Sequence, residues 1–145
     1  MNQSERAVAC FKEGFSCSQA VFSTFALQMG LERELALKVA GPFGGGMGRL
    51  GEVCGAVTGA LMALGLKYGC VDAQNAEGKE EAYRLARELA DQFKTRRGSI
   101  LCRELLGCDI STPEGRSQAR EKGLFANLCP QLVRDAAEIV EQMLK

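Results

Sequence analysis

Apolar positions recur along this chain at intervals of three and four, and no stretch alternates strictly between apolar and polar over the length of a strand. That period belongs to helices, so the expected fold class is all-α, a compact helical bundle. The first helix is expected from about Ser4 to Glu13, with Ser4 as its cap and Gly14 as its end. A second opens at Cys17 behind Ser16, which is placed to cap it. It carries Ala20, Val21, Phe25 and Leu27 and stops at Gly30. A third, about Glu32 to Ala40, ends at Gly41-Pro42, because a residue before proline is disfavoured in the helical region.

The periodicity then breaks at Phe43-Gly44-Gly45-Gly46-Met47-Gly48-Arg49-Leu50-Gly51, a glycine-rich loop that leads into an apolar helix from about Glu52. Small residues at Gly55, Ala56, Gly59, Ala60 and Ala63 let neighbouring backbones approach, so this is expected to be the buried central helix. A helix from about Glu77 to Arg97 sets Ala82, Leu85, Ala86, Leu89 and Phe93 on one side and charges on the other, as an outer wall does. Gly98-Ser99 interrupts it, and Ser99 can cap a short helix through Cys102, Leu105 and Leu106 that stops at Gly107. A polar helix from Pro113 to Lys122 follows. The final helix starts near Pro130, with Leu132, Val133, Ala136, Val140 and Met143 as its apolar stripe. No repeat, low-complexity tract or long linker divides the chain, and 145 residues suit a single domain.

Composition narrows the function. Hydrophobic residues make up 46% and charged residues 25%, a globular balance. Eighteen basic and eighteen acidic residues cancel, leaving no field to attract nucleic acid or an anionic membrane. The amino terminus lacks a basic region followed by an apolar run, so a cytoplasmic location is expected. The longest apolar stretch, Val53 to Leu66, is too short to span a bilayer. Histidine is absent, which excludes Cys/His and Ser/His/Asp hydrolysis, HExxH zinc chemistry and histidine-held haem.

Seven cysteines remain as the main chemical resource of an otherwise ordinary composition, and a reducing compartment makes permanent disulfides an unsuitable explanation for all of them. Cys17, Cys54, Cys102 and Cys129 each fall in or beside a first helical turn, where unpaired amides and the helix dipole favour a thiolate. Cys129 is in register with Val133, Ala136 and Val140, and Cys17 with Ala20 and Val21, so both point to the core side and the four are expected to share one site. Cys54 combines the first-turn position with a preceding glycine loop and is expected to have the lowest pKa of the seven. Cys10, Cys70 and Cys108 lack that setting and read as packing residues.

Gly46-Met47-Gly48-Arg49-Leu50-Gly51 is formally GxGxxG, but a dinucleotide fingerprint requires a preceding strand, and here a helix precedes. The loop is expected instead to bring the backbone amides of Gly46, Gly48 and Gly51 towards a bound anion or cluster, with Arg49 as a nearby positive charge. A simple permissive turn into the central helix is the alternative.

Cys54-Gly55-Ala56-Val57-Thr58-Gly59 resembles the CGAxxG signature of the redox-active protein family C_GCAxxG_C_C. Cys17, in Gly14-Phe15-Ser16-Cys17-Ser18-Gln19-Ala20-Val21, looks like the cysteine that precedes that signature. Cys102, in Cys102-Arg103-Glu104-Leu105-Leu106-Gly107, and Cys129 look like the two that follow it. The resemblance covers most of the chain and implies a bacterial or archaeal helical protein whose redox activity is assigned to its cysteines. A related helical module attached to some multihaem-type cytochromes holds a two-iron, two-sulfur cluster through cysteines, so a [2Fe-2S] cluster on the same four residues is the cofactor implied by analogy.

Three functions stay open on these grounds. The first is thiol/disulfide exchange or electron transfer with an unidentified redox partner. The second is an iron–sulfur protein using Cys17, Cys54, Cys102 and Cys129 as ligands; zinc is disfavoured because its structural ligands come in close C-x₂₋₄-C pairs. The third is a non-catalytic helical interaction module with structural cysteines. Such bundles often form homodimers, and neither nucleic acid nor membrane insertion is expected.

Overall fold

Side-chain caps mark where the first helices begin. A computed structural model describes all residues, 1–145. Helix α1 (Gln3–Lys12) starts behind Asn2, whose side chain accepts from the Glu5 amide while the Glu5 carboxylate accepts from the Asn2 amide. Asn2 rather than Ser4 is therefore the cap, and Ser4 is a buried residue of the first turn. Ser16 caps α2 (Cys17–Gln28) as expected, in a reciprocal arrangement with Gln19. Helix α3 (Arg33–Ala40) runs into a 3-10 turn over Gly41–Phe43 and then a four-residue turn, α4 (Gly44–Met47).

The remaining elements are α5 (Gly55–Tyr68), α6 (Ala76–Arg97), α7 (Cys102–Leu106), α8 (Pro113–Glu121), α9 (Leu124–Asn127) and α10 (Cys129–Met143). The fold is all-α, with no strands. One isolated antiparallel bridge pairs Val53 with Leu101. No helix is long and apolar enough to cross a membrane.

Helix α5 is central, packing against α2, α6 and α10. Its small residues explain how: a Cβ at Gly59 would lie 2.7 Å from the Ser18 carbonyl oxygen and 3.2 Å from the Val21 Cβ. The backbones of α2 and α5 therefore touch where any side chain would part them. Around this contact lies the main core, with Val21, Phe25, Val57, Leu89, Phe93, Val133 and Val140 withdrawn from solvent. Each large side chain buried there contributes about 1.5–3 kcal/mol. The outer helix α6 buries Leu89 and Phe93 but leaves Ala82, Leu85 and Ala86 only partly covered, so the expected stripe is sealed in its second half alone. Arg96 and Arg97 at its end pair with Asp135 of α10.

A smaller apolar cluster stands apart, formed by Cys102, Leu106, Cys108, Ile110, Ala119 and Cys129, with Cys17 packed against it. Between this cluster and the main core lies the region that holds most of the thiols.

Candidate functional site

Four sulfurs stand at helix starts, three as first residues and one as an N-cap. Cys17 and Cys129 are the first residues of α2 and α10, the latter followed by Pro130, whose missing amide costs nothing in a first turn. Cys102 is the first residue of α7. Cys54 is the N-cap of α5, which begins at Gly55 rather than at about Glu52, so Cys54 stands just before the first turn instead of within it.

The bridge ties two of them together. The Cys54 amide donates to the Ile100 carbonyl and the Cys102 amide to the Glu52 carbonyl, each at 2.7 Å. Gly46 fits into the space this leaves: a Cβ there would stand 2.6 Å from the Glu52 amide nitrogen and 2.9 Å from the Cys102 Cβ. Gly55 does the same for the other side, since its Cβ would lie 3.3 Å from that of Cys17. Close backbone approach at these two glycines is what lets the segments carrying Cys17, Cys54 and Cys102 meet.

Cys17, Cys54, Cys102 and Cys129 all line one cavity of ≈ 620 Å³. Cys17 is partly exposed, whereas Cys54, Cys102 and Cys129 retain 3%, 8% and 7% of their accessibility. All seven cysteines are free thiols. Cys108 is buried in the small cluster beside Cys102 and Cys129 without lining the cavity. Cys10 is buried near Ser23, and Cys70 is exposed past the end of α5.

The four sulfurs differ in acidity. Burial pushes Cys54 up to about 11, outweighing the amides of Ala56 and Val57, which favour its thiolate without closing a side-chain cap hydrogen bond. Burial likewise pushes Cys102 up to about 12, and the neighbouring Cys54 and Cys129 add to it. Cys129 is the exception. A hydrogen-bonding interaction with the Cys17 thiol lowers it, and the same interaction, followed by burial, raises Cys17 well above the ordinary thiol range. The two behave as one titrating pair that gives up its first proton from Cys129. The expectation that Cys54 is the most acidic thiol is thus overturned: at a buried N-cap, desolvation exceeds what two amides return.

The glycine loop also departs from expectation. Gly45, Gly46, Met47, Gly48 and Arg49 succeed one another at φ of 68°, 69°, 69°, 59° and 68°, a left-handed turn. Met47 and Arg49 carry side chains in that conformation at about 1–2 kcal/mol each. The loop's amides serve the loop itself: Gly48 donates to the Pro42 carbonyl, Gly51 to Gly45 and Glu52 to Gly46. The amides nearest a thiol come from α5 instead. Gly46, Gly48 and Arg49 do line the cavity; Gly51 does not, and its open side faces Arg103.

Sequence reasoning missed the contribution of α8. Arg116 and Arg120, four residues apart on one helix face, line the cavity with Ile110 and Phe125. Their spacing was visible in the sequence, but nothing in it placed α8 beside the thiols. No three of the chain's thiols and carboxylates are gathered as ligands of a single metal ion.

The family model described as "Putative redox-active protein (C_GCAxxG_C_C)" matches residues 15–143, nearly the whole chain and all four cavity cysteines. This chain writes the centre of the signature Cys54-Gly55-Ala56, the first two residues in the reverse of the order spelled in the family name. No curated protein and no solved structure matches the chain.

Proposed function

Because the chain belongs to the C_GCAxxG_C_C family of putative redox-active proteins, we propose that its thiol cavity is a dithiol/disulfide exchange site. Cys129 is the attacking sulfur and Cys17 the resolving one. The observation that carries this reading is the pairing of Cys17 with Cys129 at the wall of the cavity, with the Cys129 sulfur favoured as thiolate. A thiolate is the species that attacks a disulfide.

The causes of the two shifts suggest an order of events. The largest influence holding the Cys17 proton in place is its interaction with Cys129. Once Cys129 has formed a mixed disulfide it no longer offers a thiolate, that influence disappears, and Cys17 is freed to ionise and attack. Its release of the bound group leaves a Cys17–Cys129 disulfide and two electrons on the departing thiols. Cys54 and Cys102 stay protonated beside the pair, so the reaction has one starting point rather than four.

A two-iron, two-sulfur cluster would draw on the same four residues, and four thiolates suit it in chemical type. Each iron of such a cluster takes two thiolates, so Cys17, Cys54, Cys102 and Cys129 would supply all four ligands and the cluster would provide one-electron transfer; the disulfide exchange uses the thiols alone. The test is to purify the protein without oxygen, treat it with one equivalent of bis(2-hydroxyethyl) disulfide and map the bonds by mass spectrometry, measuring iron and sulfide in parallel. A Cys17–Cys129 disulfide with Cys54 and Cys102 free is expected. Stoichiometric iron and sulfide protecting all four thiols, or no oxidation of the pair, overturns the proposal.

A further inference from the structure

The thiol cavity is cationic. Its only charged lining residues are Arg49, Arg116 and Arg120, and no aspartate or glutamate lines it. Five arginines outside the cavity, Arg33, Arg84, Arg96, Arg97 and Arg103, meet carboxylates. None of the three cavity arginines does, and the one hydrogen bond among them runs from the Arg116 guanidinium to the Ile110 carbonyl, which leaves its charge uncompensated. They converge from separate elements, Arg49 from the glycine loop and the other two from α8. In a chain of zero net charge, three unpaired cations around a cavity of ≈ 620 Å³ are a local feature. The remainder of the wall, with Phe11, Pro42, Leu105, Ile110, Phe125 and Leu132, is apolar and suits a carbon skeleton.

From this we infer that the site selects a small anionic disulfide, one whose thiol halves carry carboxylates, as the oxidant of the Cys17–Cys129 pair. The inference rests on the dithiol reading above and names its substrate class. The Cys129 thiolate attacks one sulfur of R–S–S–R, forming Cys129–S–S–R and releasing R–S⁻. Cys17 then loses its proton and attacks the Cys129 sulfur, forming Cys17–S–S–Cys129 and releasing the second R–S⁻. The protein gives up two electrons and one proton from the thiol–thiolate pair, the substrate disulfide gains the two electrons, and an external dithiol restores the reduced protein. Guanidinium groups bind carboxylates in a planar, bidentate manner, so the arginines also orient the substrate.

Three disulfides with closely similar skeletons test the charge alone: dithiodipropionate as dianion, bis(2-hydroxyethyl) disulfide as neutral and cystamine as dication. Single-turnover oxidation of the reduced protein is followed with each, and each rate is divided by that of the same reagent with the unfolded chain, which removes intrinsic reactivity. The normalised rate for the dianion should exceed that for the dication by at least about tenfold, with the neutral reagent between them, and the gap should narrow at high salt. Arg120→Gln and Arg49→Gln, both at exposed positions, should each shrink the preference, lowering the normalised rate for the dianion more than that for the neutral reagent. Arg116→Gln should do the same with some local loosening at Ile110. Equal normalised rates, or a preference for cystamine, overturn the substrate class while the Cys17–Cys129 disulfide still forms. Absence of that disulfide with every reagent overturns the pair itself, and the inference with it.

Discussion

Two pairs of thiols face the same cavity and respond to it in opposite ways. Cys17 and Cys129 begin α2 and α10; Cys54 caps α5 and Cys102 begins α7, so all four occupy the helix position that favours a thiolate. Yet burial holds Cys54 at about 11 and Cys102 at about 12, while Cys129 falls below the ordinary thiol value. The difference is the neighbour. Cys129 is lowered by the Cys17 thiol beside it, whereas Cys54 and Cys102 are joined through their backbones by the Val53–Leu101 bridge and neither has a thiol partner of that kind; the Ala56 and Val57 amides favour the Cys54 thiolate but are outweighed by burial. A helix dipole is worth about 0.3–1 kcal/mol at a typical site, and desolvation of a buried charge exceeds it.

The largest effect that would break this comparison is loss of the reactive pair. Cys129→Ser should abolish the intramolecular disulfide, and Cys17→Ser should halt the reaction at a mixed disulfide on Cys129, both read by intact mass. Cys54→Ser should still form the Cys17–Cys129 bond. If Cys54→Ser and Cys129→Ser lose oxidation equally, the two pairs are not distinct in function.

The backbone holding the second pair can be tested next. Gly46→Ala places a Cβ against the Glu52 amide and the Cys102 Cβ at a φ of +69°, and should cost about 3 kcal/mol from crowding and strain together. Gly48→Ala, at a φ of +59° but with nothing within 4 Å, should cost only about 1 kcal/mol. Urea unfolding of both variants under reducing conditions measures the gap.

Acidity supplies a third, somewhat smaller effect. Cys54 keeps its proton in the folded state up to about 11, whereas the unfolded thiol ionises near its ordinary value of 9.0. The resulting stability is complete below pH 9 and is lost as pH rises from 9 through 11, by at most about 3 kcal/mol for this residue. Thermal melting of the reduced protein across that window should show the decline, and Cys54→Ala should make it shallower, with Cys102 and Cys17 carrying what remains.

The smallest expected effect concerns the cap beside the reactive pair. Ser16→Ala removes the α2 cap directly before Cys17 and should destabilise the fold by about 1 kcal/mol. Among the four cavity thiols, Cys129 should remain the first alkylated, because its acidity depends on Cys17 rather than on that cap. Mass-spectrometric mapping after brief iodoacetamide treatment reads the order of labelling.

Local chemistry was legible in the order of residues. The three-and-four spacing of apolar positions determined an all-α fold, Ser16 determined the start of α2, and Gly55 and Gly59 marked the helix against which other backbones would pack. The four cysteines at helix starts could be named for the same reason: caps, prolines and glycines act within a few residues of where they stand. What lay beyond that reach needed the tertiary structure. The bridge between Val53 and Leu101, the arrival of Arg116 and Arg120 at the cavity and the pairing of Cys17 with Cys129 each join segments far apart in the chain. The acidity of the thiols belongs with them. It is decided by the balance between lost solvent and gained neighbours, and both are properties of packing, so the residue that looked most acidic by its helix position, Cys54, is held protonated while Cys129 is favoured as the thiolate.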